Sequence, residues 1–241
     1  MLVAQLEEAE EQATRLLPFA GYATLPCVTT TWAKEADTWC AEGLPEHCLM
    51  LRAGVACGKW LESHTDAKER LCICCGAGNN GGDGLVAAAW LKCQGRRVAA
   101  QLIAEPATFD AAWALRLARA CGVAVTIHAG RPDEAEVYVD ALIGRGLTGP
   151  LRQPVAGLVE QLRQSGRLFA SIDMPTGWNG DETPQLQILA MLAVDPELGR
   201  PQDEILYLDA GWLASAWFAD LGVEQRLRTF DQAQWLAPVA G

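Results

Sequence analysis

Three short stretches of this sequence set carboxylates and carboxamides among glycines: GAGNNGGDG (76–84), DALIGRGLTGP (140–150) and DMPTGWNGD (173–181). Glycine-rich backbone that opens a helix lets main-chain amides approach an anion, and the first of these stretches contains a GxGxxG spacing at Gly76, Gly78 and Gly81. Glu105 follows at the distance where a dinucleotide-binding fold holds a ribose hydroxyl. Asp83 breaks the pattern, because a carboxylate at a helix start suits the dipole yet repels phosphate unless it meets a hydroxyl instead. Asn79 and Asn80 bring amide oxygens, which are hard ligands for a cation. Were the three stretches neighbours, Asn80, Asp140 and Thr176 would set an amide oxygen, one carboxylate and one hydroxyl around a single ion. So little charge suits a monovalent cation. Taken singly, Asp140 and Asp173 also read as turn or cap residues.

Each stretch follows an apolar run, and that is what could bring them together. LCICC (71–75), VAAQLIA (98–104), VAVTI (123–127), VYVDALI (137–143) and LFASID (168–173) read as strands buried on both faces. Helical spacing falls between them at 85–94, 107–120 and 155–165, and the alternation predicts a doubly wound parallel sheet covered by helices. Ligands in such folds bind beyond the carboxyl ends of the strands, where all three stretches lie. Upstream, Met50, Gly54, Cys57 and Leu61 mark one face of a helix over 48–62, and another is expected over 31–41. Apolar residues at Leu2, Leu6, Ala9, Ala13 and Leu16 predict a further helix near the start, so residues 1–28 read as an N-terminal helical extension to a domain over 29–241. The runs 188–194 and 205–208 could extend the sheet, and 211–220 could close it as a helix.

Composition narrows the function classes. With 241 residues, half of them apolar, the chain can bury a core without staples. A formal charge of -11 argues against tracking nucleic acid or an anionic membrane surface. Nine cysteines, three of them crowded at Cys72, Cys74 and Cys75, do not form a disulfide framework, and His47, His64 and His128 offer no zinc-type partner to the Cys72/Cys75 pair. They read as buried thiols of a reducing, cytoplasmic compartment. The acidic start has no signal-peptide pattern, and no apolar run approaches the roughly 18 residues of a membrane span.

GAGNNGGDG followed by LVAAAWL, then DALIGRGLTGPLRQP, then SIDMPTGW, with LMLRAGVACGKWL (49–61) upstream, resembles the NAD(P)H-hydrate epimerases, the YjeF N-terminal domain family. The resemblance implies a Rossmann-like three-layer α/β/α sandwich with a mainly parallel central sheet. It implies interconversion of the R and S forms of hydrated NADH and NADPH, whose hydroxyl sits on C6 of the nicotinamide ring. Carried over residue by residue, it implies substrate contacts from Asn79, Asn80, Gly81, Gly82, Asp83, from Gly144, Arg145, Gly146, Leu147, Thr148, Gly149, Pro150, and from Asp173. Asn80, Asp140 and Thr176 would hold potassium, and Asp173 is the expected general acid/base. A separate S-specific dehydratase is the implied partner, and a homodimer the expected assembly.

Three departures stand out. Thr176 occupies a position that is usually Ser in that family, Arg145 one that is often Thr or aromatic, and no lysine follows Lys92 where the family commonly carries a Pro-Lys pair. Two other function classes therefore stay open at this point. A catalytically silent relative could act as a scaffold or dimerisation module, as the same fold does in enhancer-of-decapping proteins, with Trp212, Trp217 and Trp235 as core or oligomer-interface anchors. A conventional NAD(P)-dependent oxidoreductase would also use the GxGxxG spacing.

Overall fold

The computed structural model describes residues 25–27, 47–178, 187–190, 205–207, 226–228 and 235–236. In chain order its elements are β1 (Leu25–Cys27), α1 (Cys48–His64), β2 (Arg70–Cys75), α2 (Asn79–Cys93), β3 (Arg97–Leu102), α3 (Phe109–Ala120), β4 (Ala124–Ile127), β5 (Val137–Ala141), α4 (Val155–Gln164), β6 (Leu168–Ile172), β7 (Gln187–Ala190), β8 (Ile205–Tyr207), β9 (Arg226–Arg228) and β10 (Trp235–Leu236). The expected helices before residue 42 and over 211–220, and the boundary at residue 28, lie outside the described residues.

The strands from β2 to β8 run parallel in the order β4-β3-β2-β5-β6-β7-β8, with β10 added antiparallel at the far edge. The chain thus winds outward from β2 in one direction and from β5 in the other. Their carboxyl ends flank the point where strand order reverses, which is where an open α/β sheet presents its ligand crevice. β1 and β9 pair antiparallel in a separate two-stranded ribbon.

Period-two alternation sorts β2 between the two covering layers. Leu71, Ile73 and Cys75 pack with residues of α1, α2 and α3, including Cys57, Leu61, Leu85, Leu91 and Leu115. Cys72 and Cys74 pack on the opposite face with Tyr138 and with Leu158, Val159 and Leu162 of α4. Three positions apart on a strand, Cys72 and Cys75 therefore face opposite layers and cannot share a metal ion. Each fully buried leucine here stabilises the fold by roughly 1.5–3 kcal/mol relative to exposure.

Helix α2 lies against the sheet with α1 and α3 beside it, and its residues from Leu85 to Ala89 are all buried. This middle stretch of α2 is apolar all round and enclosed, while the helix ends at Asn79 and Cys93 are exposed. By contrast α4 buries only Leu158, Val159 and Leu162, with Glu160 and Gln164 turned to solvent. Arg96, a buried guanidinium between α2 and β3, donates to the carbonyls of Glu62, Thr65 and Asp66 and so satisfies the end of α1. No helix among the described residues is long and apolar enough to cross a membrane.

Candidate functional site

The first glycine stretch is not a loop that gives way to a helix at Leu85. Helix α2 begins at Asn79, six residues earlier than expected, with Gly78 as its N-cap. None of the glycines at 76, 78, 81, 82 and 84 has positive φ, so conformational freedom is not what they supply. Closeness is. A Cβ on Gly76 would lie 1.8 Å from the Leu142 carbonyl oxygen, one on Gly81 1.9 Å from the Gly76 oxygen, and one on Gly84 2.6 Å from the Ala141 Cβ. Glycine lets the first turns of α2 settle onto the ends of β2 and β5, and periodicity alone did not reveal this because glycine carries no hydrophobic signal. Gly78, Gly146 and Gly149 differ, since a Cβ at any of them would meet nothing within 4 Å. These three face open space.

Contacts across the strand ends join the other two stretches to the first. Oriented to satisfy both its polar atoms, the Asn80 carboxamide donates to the Ile172 carbonyl at 3.1 Å and accepts from the Gly144 N–H at 3.2 Å. One residue at the start of α2 thus bridges the ends of β5 and β6. Asn79 is exposed and accepts from the Thr108 hydroxyl at 2.6 Å, while Thr108 itself caps α3 by accepting from Ala111 N–H.

Asp140 and Thr176 form a buried polar pair in this region. The Asp140 carboxylate accepts from Leu142 N–H at 3.0 Å, Thr176 N–H at 2.8 Å and the Thr176 hydroxyl at 2.8 Å, with Ser171 Oγ at 3.4 Å. Burial pushes this carboxyl above the usual carboxylate range, and the four hydrogen bonds counter that only in part. The Thr176 hydroxyl also lies 3.1 Å from the Ile143 carbonyl and accepts from the Ile143 N–H. A hydroxyl has one proton, so it can serve either Asp140 or Ile143 at a time. Both the turn-forming and the ion-binding readings of Asp140 are thus compatible with one geometry. Among the described residues no group of three or more His, Cys, Asp or Glu could hold a metal ion. What the strand ends do offer is a buried single carboxylate next to the Thr176 hydroxyl, itself near the Ile143 carbonyl, a low-charge donor set that suits a monovalent cation.

Asp173 departs furthest from expectation. It sits at φ 68°, in the left-handed region, and its carboxylate folds back onto the loop after β5. There it accepts from the Arg145 backbone N–H at 2.7 Å and from Arg145 Nε at 2.6 Å, with Nη2 also at 2.6 Å. A Cβ on Gly144 would stand 2.1 Å from Asp173 Oδ2, so glycine at 144 makes the approach possible. The Arg145 guanidinium is paired with Asp173, and the two side chains are 14% and 21% exposed.

Burial pushes the Cys57 thiol of α1 up, and the charges of Asp83 and Asp173 push it further. Leu147 N–H closes a turn onto the Gly144 carbonyl, and Thr148, Gly149 and Pro150 are exposed at the rim. Ser171, buried beside Asp140, escaped the sequence reading. A hydroxyl inside the otherwise apolar run LFASI was the available signal.

Comparison with known proteins agrees with this arrangement. The family model for the YjeF-related protein N-terminus matches residues 46–196. An NAD(P)H-hydrate epimerase from Rhodopirellula baltica is 35% identical over 168 residues, covering 65% of this chain and 68% of that protein. A bifunctional NAD(P)H-hydrate repair enzyme from Coxiella burnetii is 36% identical over 143 residues, or 58% of this chain, and the match spans only 29% of that longer protein. The yeast protein ynu0, known from a crystal structure, superposes with a TM-score of 0.70 at 23% identity over 88% of this chain and 99% of its own, which shows the shared fold. On the family match, its agreement with the strand-end motifs and the shared fold, the chain belongs to the YjeF-related N-terminal family.

Proposed function

We propose that this protein is an NAD(P)H-hydrate epimerase, an isomerase that interconverts the R and S forms of hydrated NADH and NADPH. The observation that carries the reading is the convergence of Asn80, Asp140, Asp173 and Thr176 at the switch point of the sheet, in a chain similar to the Rhodopirellula epimerase.

Inverting C6 requires its bond to oxygen to break and reform, or the ring to open and close at the bond to nitrogen. In the first route a proton is given to the hydroxyl, which leaves as water, and one is taken from the water that adds on the other face; in the second the hydroxyl proton is taken as the carbonyl forms and returned on closure. Asp173 is the carboxylate we assign to that task, within reach of a hydroxyl entering between the Gly78 N-cap and the Gly144–Pro150 loop. The uncapped first amides of α2 face the same crevice and suit the pyrophosphate of a dinucleotide. Asn79, Asn80, Gly81, Gly82 and Asp83 would line the nucleotide, Asp83 through sugar hydroxyls rather than phosphate.

Asn80, Asp140 and Thr176 would hold a potassium ion. It would supply a positive charge beside the ligand and offset the buried Asp140 carboxylate. The reading also includes a homodimer in the cytoplasm, with an S-specific dehydratase as a separate partner that consumes the product; the bifunctional names of several relatives support a coupling of epimerisation to further repair.

The test is a coupled assay in which R-enriched hydrated NADH is supplied with excess S-specific dehydratase. Added protein is expected to speed loss of the R form beyond spontaneous epimerisation, and Asp173→Asn to abolish the gain. Folded protein that binds the nucleotide without any acceleration would instead identify a silent scaffold.

A further inference from the structure

We infer that Arg145 is the positioning residue for Asp173, resting on the epimerase reading just given. All three N–H donors described above come from this one residue: the backbone N–H reaches Oδ2, while Nε and Nη2 converge on Oδ1. An ionised carboxylate offers about four acceptor sites, so Arg145 engages most of them from one side and leaves capacity for one further donor. That remaining direction is where a substrate hydroxyl can be met.

The backbone around the pair is built for it. Asp173 holds a left-handed conformation that costs a non-glycine residue energy and is kept only when surrounding contacts over-determine it. Gly144 has no side chain to obstruct the carboxylate, and its N–H is held in turn by Asn80. The pair therefore links the loop after β5 to the turn after β6, the two segments a ligand at the switch point must touch. Arg145 acts through Asp173, by aiming it; its planar fork does this in a way that a flexible ammonium reproduces only in part.

Arg145→Gln and Arg145→Lys separate this role from direct substrate binding. With hydrated NADH as substrate, Arg145→Gln is expected to lower kcat by about 10- to 100-fold, the scale of a misaimed catalytic group, with KM changed by less than about 3-fold. Arg145→Lys is expected to recover part of the lost kcat. Hydrogen exchange over residues 144–150, followed by mass spectrometry on the unliganded protein, is expected to quicken in Arg145→Gln. An increase in KM with kcat intact would make Arg145 a ligand contact and overturn the inference. So would unchanged exchange together with unchanged kinetics. If the parent protein does not epimerise, the functional reading falls, and the exchange comparison still decides whether Arg145 holds Asp173 in place.

Discussion

Thr176 grips Asp140 with two groups at once: its hydroxyl stands 2.8 Å from Oδ1 and its backbone N–H 2.8 Å from Oδ2 of the same buried carboxylate. The turn after β6 is thereby clamped to the end of β5. Thr176→Val keeps the shape and removes the hydroxyl, leaving the Asp140 carboxylate short of a donor and the Ile143 N–H short of its acceptor. Urea unfolding is expected to show a loss of about 1–3 kcal/mol, with Thr176→Ser close to the parent. Equal stability of the Val and parent proteins would mean that this hydroxyl is dispensable.

Potassium is expected to stabilise the folded protein. A ligand at a hundredfold excess over its Kd contributes about 2.7 kcal/mol, so the Tm should rise in potassium chloride relative to tetramethylammonium chloride at equal ionic strength. Asp140→Asn is expected to erase the difference. A Tm indifferent to the cation would remove potassium from the site.

Gly84→Ala places a methyl group 2.6 Å from the Ala141 Cβ and 3.1 Å from Cys75 Sγ. Over-packing of this kind costs about 1–3 kcal/mol, even though alanine is the better helix former by itself. Gly78→Ala meets no atom within 4 Å and is expected to fold normally. Chemical denaturation of the two variants side by side checks the contrast.

Glu136 carries a pH signature. The Arg70 backbone N–H at 2.7 Å holds its carboxyl below the usual range, with the Arg70 charge assisting. A depressed folded-state pKa contributes stability that is present above the unfolded value of about 4.3 and is lost as pH falls through the folded one. Glu136→Gln is therefore expected to lower the Tm at pH 7, with the gap to the parent closing as pH falls through the folded-state pKa. A difference that persists in acid would assign the effect to packing.

Much of the architecture was legible in the chain. The strand runs at 71–75, 98–104, 123–127, 137–143 and 168–173 correspond to β2 to β6; those of β3, β5 and β6 are trimmed at their ends, where the backbone turns into the site, and those of β2 and β4 end where expected. Burial on both faces of a parallel sheet holds the central runs of β2 and β5, whereas the run of β4, expected to be buried likewise, forms an edge strand that is mostly exposed. The face Met50, Gly54, Cys57 and Leu61 is buried as its spacing predicted. The start of α2 was misread because GAGNNGGDG resembles a flexible loop in any local window. Its glycines answer to atoms of Met50, Ala141 and Leu142, which no local window contains.

The sequence by itself determined the order of strands and helices and the residue types placed at the strand ends, because periodicity and turn chemistry act over a few neighbouring residues. It also carried the motifs of the family. Only the tertiary structure decided which of those residues touch. Thr176 reaches Asp140, Asn80 spans Gly144 and Ile172, and Arg145 takes hold of Asp173, because β5 lies between β2 and β6 in the sheet and brings three separate strand ends to one crevice. Such pairings depend on strand order and on glycines that permit close approach. Neither is a property of the segments that carry the charges.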